Sequence, residues 1–480
     1  MPFPILAGKA ITDTTYEVAN SCRFDKAGTA YMHKSQGTPS SRRTFTYSGW
    51  IKLGLQNIYQ IIFESADGSH NFQIVIQDDS NNNDLRIYDY DGSTNLDLRT
   101  SQAFRDHIGW YHVCVAIDTT QSTASNRAKL YINGTRVTAF DTETYPDQNY
   151  DTAFVANKNI QVGRQQSGSD YFDGYMAEVC FIDGSALAPT SFGEFNEDSP
   201  NIWQPIDVSG LTFGNNGFYL DFEDSGNLGN DVNGGTDLTE VNLAAADQAT
   251  DTPTNNFCTI NPLQNYFPAS SFAEGNCKVT TSESVGGCYN HGTFGVINGL
   301  WYFEAKLVSG SGAGSANDGF VGISSKVPTS NSAELGNYVN DYGYYGADGQ
   351  KRNNNSNSSY GDSYSTGDIV GVYIDCDANK LYFAKNGTVQ NSGTGISISA
   401  TADADGSTGY YFPAVGDWAT NVSQVWDFNF GGCSAFSVSS GNADANGYGS
   451  FEYDPSSGTF DSASKNFLAL CTKNLGSDGG

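Results

Sequence analysis

Basic residues are scarce: 24 Lys and Arg stand against 53 Asp and Glu in 480 residues, a formal net charge of −29. A field of that sign repels phosphate backbones and anionic lipid surfaces, which argues against nucleic-acid binding and against membrane insertion. The acid is spread along the chain without a long tail, as solubility requires; a dedicated cation-binding role is the alternative. No apolar run approaches membrane-spanning length, and the opening MPFPILAGKA lacks a basic n-region and a long apolar core, so neither a transmembrane segment nor a signal peptide is expected. Methionine is rare, at three residues, and no stretch shows a sustained helical period, which speaks against a helix bundle. The nine cysteines show no CxxC and no Cys/His ligand spacing, and Cys114, Cys180 and Cys376 sit inside apolar runs. Free thiols formed in a reducing cytoplasm are expected, since a chain of this size needs no disulfide staples.

What is abundant is aromatic and turn-forming. The chain holds 28 Tyr, 29 Phe and 54 Gly, the mixture of flat rings and tight turns that suits pleated sheets. In Gly367–Val389, GDIVGVYIDCDANKLYFAKNGTV, Ile369, Gly371, Tyr373 and Asp375 alternate with Val370, Val372, Ile374 and Cys376, the period of a half-buried strand. Asp377-Ala378-Asn379 turns the chain, and Asn386-Gly387 supplies the positive φ angles of a two-residue hairpin loop. Gly109–Val137 repeats the pattern, with GWYHVCVAID running out, a polar excursion over 119–127, and KLYINGTRV returning through Asn133-Gly134. The fold class predicted is all-β, two antiparallel β-sandwiches in tandem.

The expected organisation has four parts. Residues 1–18 form an apolar, Pro-containing arm that is disordered or docks on another subunit. Residues 19–223 form the first sandwich, and a Gly/Asn/Asp-rich connector follows over 224–256, too poor in apolar residues for a core of its own. Residues 257–480 form the second sandwich and a closing segment.

TFTYSGWIKLG, GWYHVCVAID, KLYINGTRV and YFDGYMAEVCFIDGSAL, in that order over about residues 20–200, resemble the laminin-G-like, concanavalin A-like lectin fold. LWYFEAKL, DGFVGIS, YGYYGADG, GDIVGVYIDCD, KLYFAKNG, YYFPAVGDW and VWDFNFGG resemble the SPRY domain. Together with TFGNNGFYLDF, NNFCTINPL and the closing ALCTKNL, the pairing is similar to structural proteins of tailed bacteriophages, especially marine ones. That resemblance implies a virion surface protein, a tail fibre or head appendage, made in the host cytoplasm. It implies attachment to other virion proteins through the arm, homo-oligomeric assembly and adhesion to host-surface glycans.

Catalysis finds little footing. His33, His70, His107, His112 and His291 lie in different segments without HxxxH or nucleophile-elbow context, and His112, inside a strand, reads as structural. Glu178 and Asp183 are five apart, the wrong parity for one strand face, and Asp67, three after Glu64, falls in a turn, so no acid/base pair is found and no enzyme is expected. The lectin-fold resemblance implies calcium as the candidate ion, with Asp25 and Glu178 as its ligands; a turn cap and a salt bridge are the alternative roles. Sugars need ring faces and directed polar partners, which the loops around Tyr338, Asp341, Tyr342, Tyr345, Asp348, Tyr360, Tyr364 and Trp418 offer. The alternative there is that the Tyr342 and Tyr344 rings pack beneath the loop. The functional expectation is a non-enzymatic adhesin for glycans; the alternatives are a purely architectural protein and a glycan depolymerase.

Overall fold

The architecture comes from a computed structural model that describes residues 16–477 apart from 68, 78–82, 155–157, 198, 266–268, 282–286, 288, 313–317, 331, 401–406 and 419–421. Residues 1–15 of the expected arm thus lie outside the described residues. The chain divides into two compact units at Thr254/Asn255. Both are β-sandwiches, and no helix is long and apolar enough to cross a membrane among the described residues.

In the first unit one eight-stranded sheet runs Thr135–Arg136, Ala128–Ile132, Tyr111–Asp118, Thr44–Leu53, Gly174–Asp183, Ser21–Phe24, Gln248–Ala249, with Phe218–Leu220 also on Gly174–Asp183. The other runs Phe140–Thr144, Thr94–Ala103, Asp84–Tyr90, Asn71–Gln77, Gln60–Ala66, Asn159–Val162, Tyr31–Ser35, Thr239–Val241. Alternation delivers Phe45, Tyr47 and Ile51 from one sheet and Phe63, Phe72, Ile74, Ile87 and Leu98 from the other to a single core. Phe45 meets Phe72 edge-on at 5.0 Å, and Phe63 stacks on Phe181 at 5.1 Å. The predicted hairpin turn is present, with Asn133 at φ 46° and Gly134 at φ 73°.

The back of the first sheet is roofed. Cys114, Cys180 and Ile182 pack under Phe192, Val208 and Phe213, while Trp50 and Ala177 pack under Val18 and Trp203. His112, fully buried, accepts from Trp203 Nε1 on Nδ1 at 3.0 Å and lies 2.8 Å from Ser48 Oγ through Nε2. The stretch 224–254, expected as part of a connector, belongs to this unit. Leu228 and Leu238 plug its core, Thr239–Val241 extends one sheet and Gln248–Ala249 the other. Two leucines suffice because they close a core that already exists, so low apolar content does not make the segment a linker. The exit of the unit is fastened beside its entry: Val18 N donates to Thr254 Oγ1 at 3.1 Å, and Ser21 Oγ to Asp251 O at 2.6 Å. Asp251 also takes Lys52 Nζ at 2.6 Å and Trp110 Nε1 at 3.1 Å.

In the second unit one sheet runs Ser271–Ala273, Lys278–Thr280, Val422–Asn429, Leu300–Gly312, Ile369–Asp375, Lys380–Lys385, Thr388–Val389. The facing sheet runs Tyr289–His291, Ser407–Asp417, Gly319–Lys326, Asp341–Tyr345, Gln350–Asn353, Ser356–Ser359. Ile369–Asp375 is buried at every residue rather than at alternate ones. The closing segment lays Phe451, Phe460 and Phe467 over Tyr302, Tyr373 and Tyr382 and covers the face that alternation alone would leave wet. Glu304 pins that cover. Its carboxylate accepts from Tyr302 Oη at 2.9 Å, Tyr453 N at 2.8 Å, Asn429 Nδ2 at 3.0 Å and Glu452 N at 3.1 Å.

Candidate functional site

The second sheet of the first unit keeps an outer face of a different kind. Its register sets Thr239 against His33, His33 against Gln161, Gln161 against Glu64, Glu64 against Gln73, Gln73 against Tyr88, and Tyr88 against Asp97. These residues alternate with Met32, Ile160, Phe63, Phe72 and Ile87 of the core, so the row points away from it. From His33 to Tyr88 the row crosses five strands, about 19 Å at the usual strand spacing. The middle is polar and shut: Glu64, Gln73 and Gln161 are 1%, 2% and 2% exposed. Both ends are aromatic and half-exposed. At one end Tyr88 and Tyr90 lie near-parallel with centroids 6.3 Å apart, and Arg86, forked onto Asp97 by two 2.7 Å bonds, lies over Tyr88. At the other end the Tyr31 ring stacks on His33 at 5.7 Å and meets Tyr171 edge-on at 6.2 Å.

The segment between Asn159–Val162 and Gly174–Asp183 folds over the middle of the row. Gln166 N donates to Glu64 Oε2 at 2.5 Å and Gln73 Nε2 to Oε1 at 2.6 Å. Burial raises the Glu64 pKa; those two donors and the charge of Arg164 act against the rise. Burial lowers the His33 pKa, and the same Arg164 charge adds to the effect. The cluster is not closed on itself. Gln161 Oε1, Gln166 Oε1, Asn71 Oδ1 and Arg164 Nε are buried without a hydrogen-bond partner among the described residues. Buried polar atoms are nearly always paired, with protein or with ordered water, so these four call for partners beyond the side chains described.

The residues singled out from sequence in the second unit separate into two groups. Asp341, Tyr342, Tyr360 and Tyr364 are buried, and the expectation that they face a ligand is corrected. Asp341 accepts from Ser324 Oγ at 2.6 Å and Tyr289 Oη at 3.1 Å, and burial pushes its carboxyl up to about 6. Tyr342 Oη accepts from Ser399 N at 3.0 Å, and Tyr360 Oη from Phe383 N at 3.1 Å; Tyr364 Oη donates to Gly319 O at 2.9 Å. Tyr342 and Tyr344 share the inward parity of Asp341–Tyr345, and Tyr360 and Tyr364 return under Tyr344. Tyr338, Tyr345 and Trp418 remain half-exposed and Asp348 exposed. Phe320, Tyr345 and Trp418 stack within 4.7–5.7 Å of one another, and Arg352 lies 4.6 Å over Trp418. Here the polar capacity is spent internally. Arg352 donates to Asn337 at 2.7 Å, Asn355 at 2.6 Å and Asn357 at 3.0 Å, and Tyr345 Oη to Asp318 at 2.6 Å.

Asp25 and Glu178 do not come together as ligands of one ion. Asp25 follows Phe24, which pairs with Gly174, whereas Glu178 lies four residues further along that partner strand, roughly 13 Å at strand spacing. Asp25 Oδ2 caps its turn through Gly28 N at 2.6 Å. Glu178 lies in the irregular register between Ala177 and Cys180, at φ 51°, and accepts from Tyr219 Oη at 2.8 Å and Tyr16 Oη at 3.0 Å. Burial pushes its carboxyl up to about 7. Among the described residues no group of three or more His, Cys, Asp or Glu is arranged to hold a metal ion. The Ser48–His112 contact resembles a nucleophile and its base, but Nδ1 is occupied as an acceptor from Trp203, so Nε2 carries the proton and cannot take one from Ser48. The eight described cysteines are buried.

The outer row was missed from sequence, although its signal is present. In NFQIVIQ and LRIYDY the residues out of phase with the core are Asn71, Gln73, Val75 and Gln77, then Arg86, Tyr88 and Tyr90. Val75 apart, that out-of-phase set is polar and aromatic rather than merely charged.

Residues 26–190 match the Laminin_G_3 family, described as the concanavalin A-like lectin/glucanases superfamily, and residues 300–432 match the SPRY domain family. Among curated proteins, Ran-binding protein 9 of Xenopus tropicalis is 31% identical over 91 residues, 18% of this chain and 16% of that protein. Ran-binding protein 10 of Danio rerio is 32% identical over 91 residues, 18% of this chain and 14% of that protein. The chain therefore spans less than a fifth of the length of these relatives. Among solved structures, the SPRY domain of human HERC1 is similar at 18% identity, over 37% of this chain and 99% of that one, with a TM-score of 0.29. Domain 4 of an extracellular arabinanase from Geobacillus stearothermophilus, in complex with arabinotriose, is similar at 21% identity, over 38% of this chain and 82% of that one, with a TM-score of 0.28. Residues 26–190 thus carry a laminin-G-like domain of the concanavalin A-like lectin/glucanases superfamily, and residues 300–432 a SPRY domain.

Proposed function

We propose that this protein is a non-enzymatic glycan-binding adhesin whose contact surface is the outer face of the His33–Tyr88 row. The observation that carries the reading is the pair of half-exposed ring platforms, Tyr31 with His33 and Tyr171 at one end of the row and Tyr88 with Tyr90 at the other. A sugar ring offers what such platforms take: C–H faces for the aromatic rings and hydroxyls for the polar groups at their edges. Glu64, the carboxylate at the centre, has both oxygens engaged and is shut from solvent, the role of a scaffold for Gln73 and Gln166 rather than of an acid working on substrate. The setting we propose, the surface of a phage particle touching host polysaccharide, rests only on the resemblance carried by the pairing of the two domains with the TFGNNGFYLDF, NNFCTINPL and ALCTKNL stretches. Titration of the purified chain with a panel of neutral and acidic oligosaccharides tests the reading. The expected result is saturable binding abolished by the Tyr31→Ala, Tyr88→Ala double substitution. Saturable binding untouched by that double substitution moves the site elsewhere; the absence of binding to every sugar leaves an architectural role.

A further inference from the structure

Two sheet-ending strands of this chain reach four residues or more among those described, Phe140–Thr144 and Ser356–Ser359. An edge strand offers unpaired N–H and C=O groups to another strand, and folded proteins blunt it with charge, a bulge, proline or a cover. Phe140–Thr144 is blunted twice, by Asp141 with Glu143 and by a register shift between Phe140 and Thr142. Ser356–Ser359 has none of these devices. Residues 353–361 carry no charge and no proline, and residues 354–359 are all exposed. The register from Gln350 opposite Ser359 to Asn353 opposite Ser356 is unbroken. Asn354 and Asn355, at φ 49° and 55°, form the two-residue turn of this hairpin. In such a hairpin Ser356 and Ser358 bond inward to Asn353 and Lys351, so the N–H and C=O groups of Asn357 and Ser359 face outward.

We propose that Ser356–Ser359 is a self-pairing edge, on which a second copy of this chain lays the same strand antiparallel and continues the sheet. The outward groups are self-complementary. A two-fold axis at Ser358 sets Asn357 of each copy against Ser359 of the other, which closes four N–H···O bonds and leaves no outward group of the pair unmet. The same axis brings the two Ser358 residues face to face as a non-hydrogen-bonded pair, with Cα atoms about 4.5 Å apart. Charge selects the occupant. At a net charge of −29 two copies repel each other over most of their surface, whereas an uncharged strand backed by Lys351 and Arg352 lets them approach. Ser and Asn side chains are short enough to leave the two backbones at pairing distance, and they hydrogen-bond with their own kind. Four strand residues bury less than a standard interface, so the dimer is a weak, concentration-dependent one.

The test is sedimentation of the full chain over a dilution series, for the wild type, Ser358→Glu, Ser358→Lys, an equimolar mixture of those two, and Ser359→Pro. The wild type is expected to be half dimeric at about 10–100 μM, the weak end of specific association. Either charge at position 358 meets its own copy across the axis and is expected to weaken association by about tenfold or more, while the mixture, which sets Glu against Lys, restores it. Ser359→Pro removes an outward N–H from each copy and leaves the inward bonds in place, so it is expected to weaken association as well. A wild type that stays monomeric up to about 1 mM overturns self-pairing and leaves the edge to a strand of another protein. Association that both charged variants retain, or that their mixture does not restore, overturns it too. If Ser359→Pro lowers the unfolding midpoint, the charged pair alone decides, since Ser358 is exposed and its replacement leaves the fold intact.

Discussion

The two units bury glutamates in the same kind of sandwich and do opposite things with them. Around Glu304 four donors meet two oxygens, and the result is a pin for the closing segment. Around Glu64 two donors are matched and then three acceptors and a guanidinium nitrogen are left over. The difference is not one of burial, since both carboxyls are shut from solvent. It lies in how many donors meet the carboxylate and where the cluster sits. Four donors let Glu304 hold a closing segment in place, whereas Glu64, with two, lies under the outer face of a sheet that we propose binds a ligand.

The largest effect should come from removing the pin. Glu304→Ala strands four donors in a dry interior and is expected to destabilise the second unit by about 3–5 kcal/mol, read from the urea transition of the full chain. Glu64→Ala strands only two, and a cost equal to that of Glu304→Ala would erase the contrast. The same pin makes stability depend on pH. Burial, outweighing the four donors, pushes the Glu304 carboxyl from its ordinary 4.5 up to about 7. Its contribution to stability is therefore full below about pH 4.5 and is lost as pH rises through about 7. Glu304→Gln should flatten that decline, with urea midpoints compared at about pH 5 and about pH 8. A slope unchanged in the variant assigns the decline to other groups.

Binding sharpens the comparison from the other side. Tyr31→Ala combined with Tyr88→Ala should weaken glycan affinity by about tenfold or more, on the scale of two lost ring contacts. Trp418→Ala, in a cluster whose donors and ring faces are occupied by Arg352, Tyr345 and Phe320, should change affinity by less than about threefold. The reverse outcome returns the site to Tyr338, Tyr345, Asp348 and Trp418 of the second unit. The smallest effect is the most diagnostic. Gln161→Leu replaces an unpaired buried acceptor with an apolar isostere and should raise thermal stability slightly, by about 0.5–1 kcal/mol, while weakening binding. A loss of stability instead would mean that Gln161 serves the fold.

How far the sequence could be read divides along the range of the interactions. The hairpins were legible because Asn133-Gly134 and Asn386-Gly387 are local: all four residues take the positive φ their turns demand. Sheet composition was legible from period-two alternation. The strand Ile369–Asp375 was misread as half-buried because its cover, Phe451–Phe467, arrives from some eighty residues further on and leaves no trace in the strand itself. The tyrosines of YVNDYGYYGAD look alike as letters; parity and the returning segment turn Tyr342 inward and leave Tyr345 half-exposed. Gln73 and the pair Gln161 and Gln166 come from stretches more than eighty residues apart, and only strand register and the Gln166 backbone bond set them beside Glu64.

The stitching of Val18 to Thr254 and of Ser21 to Asp251 has an evolutionary consequence. A module whose two ends are sewn together at one corner behaves as a cassette: recombination can graft it into a surface loop of an unrelated host chain without prying its sheets apart. The graft carries its own fastening in Lys52 and Trp110, so it needs nothing from the recipient except room.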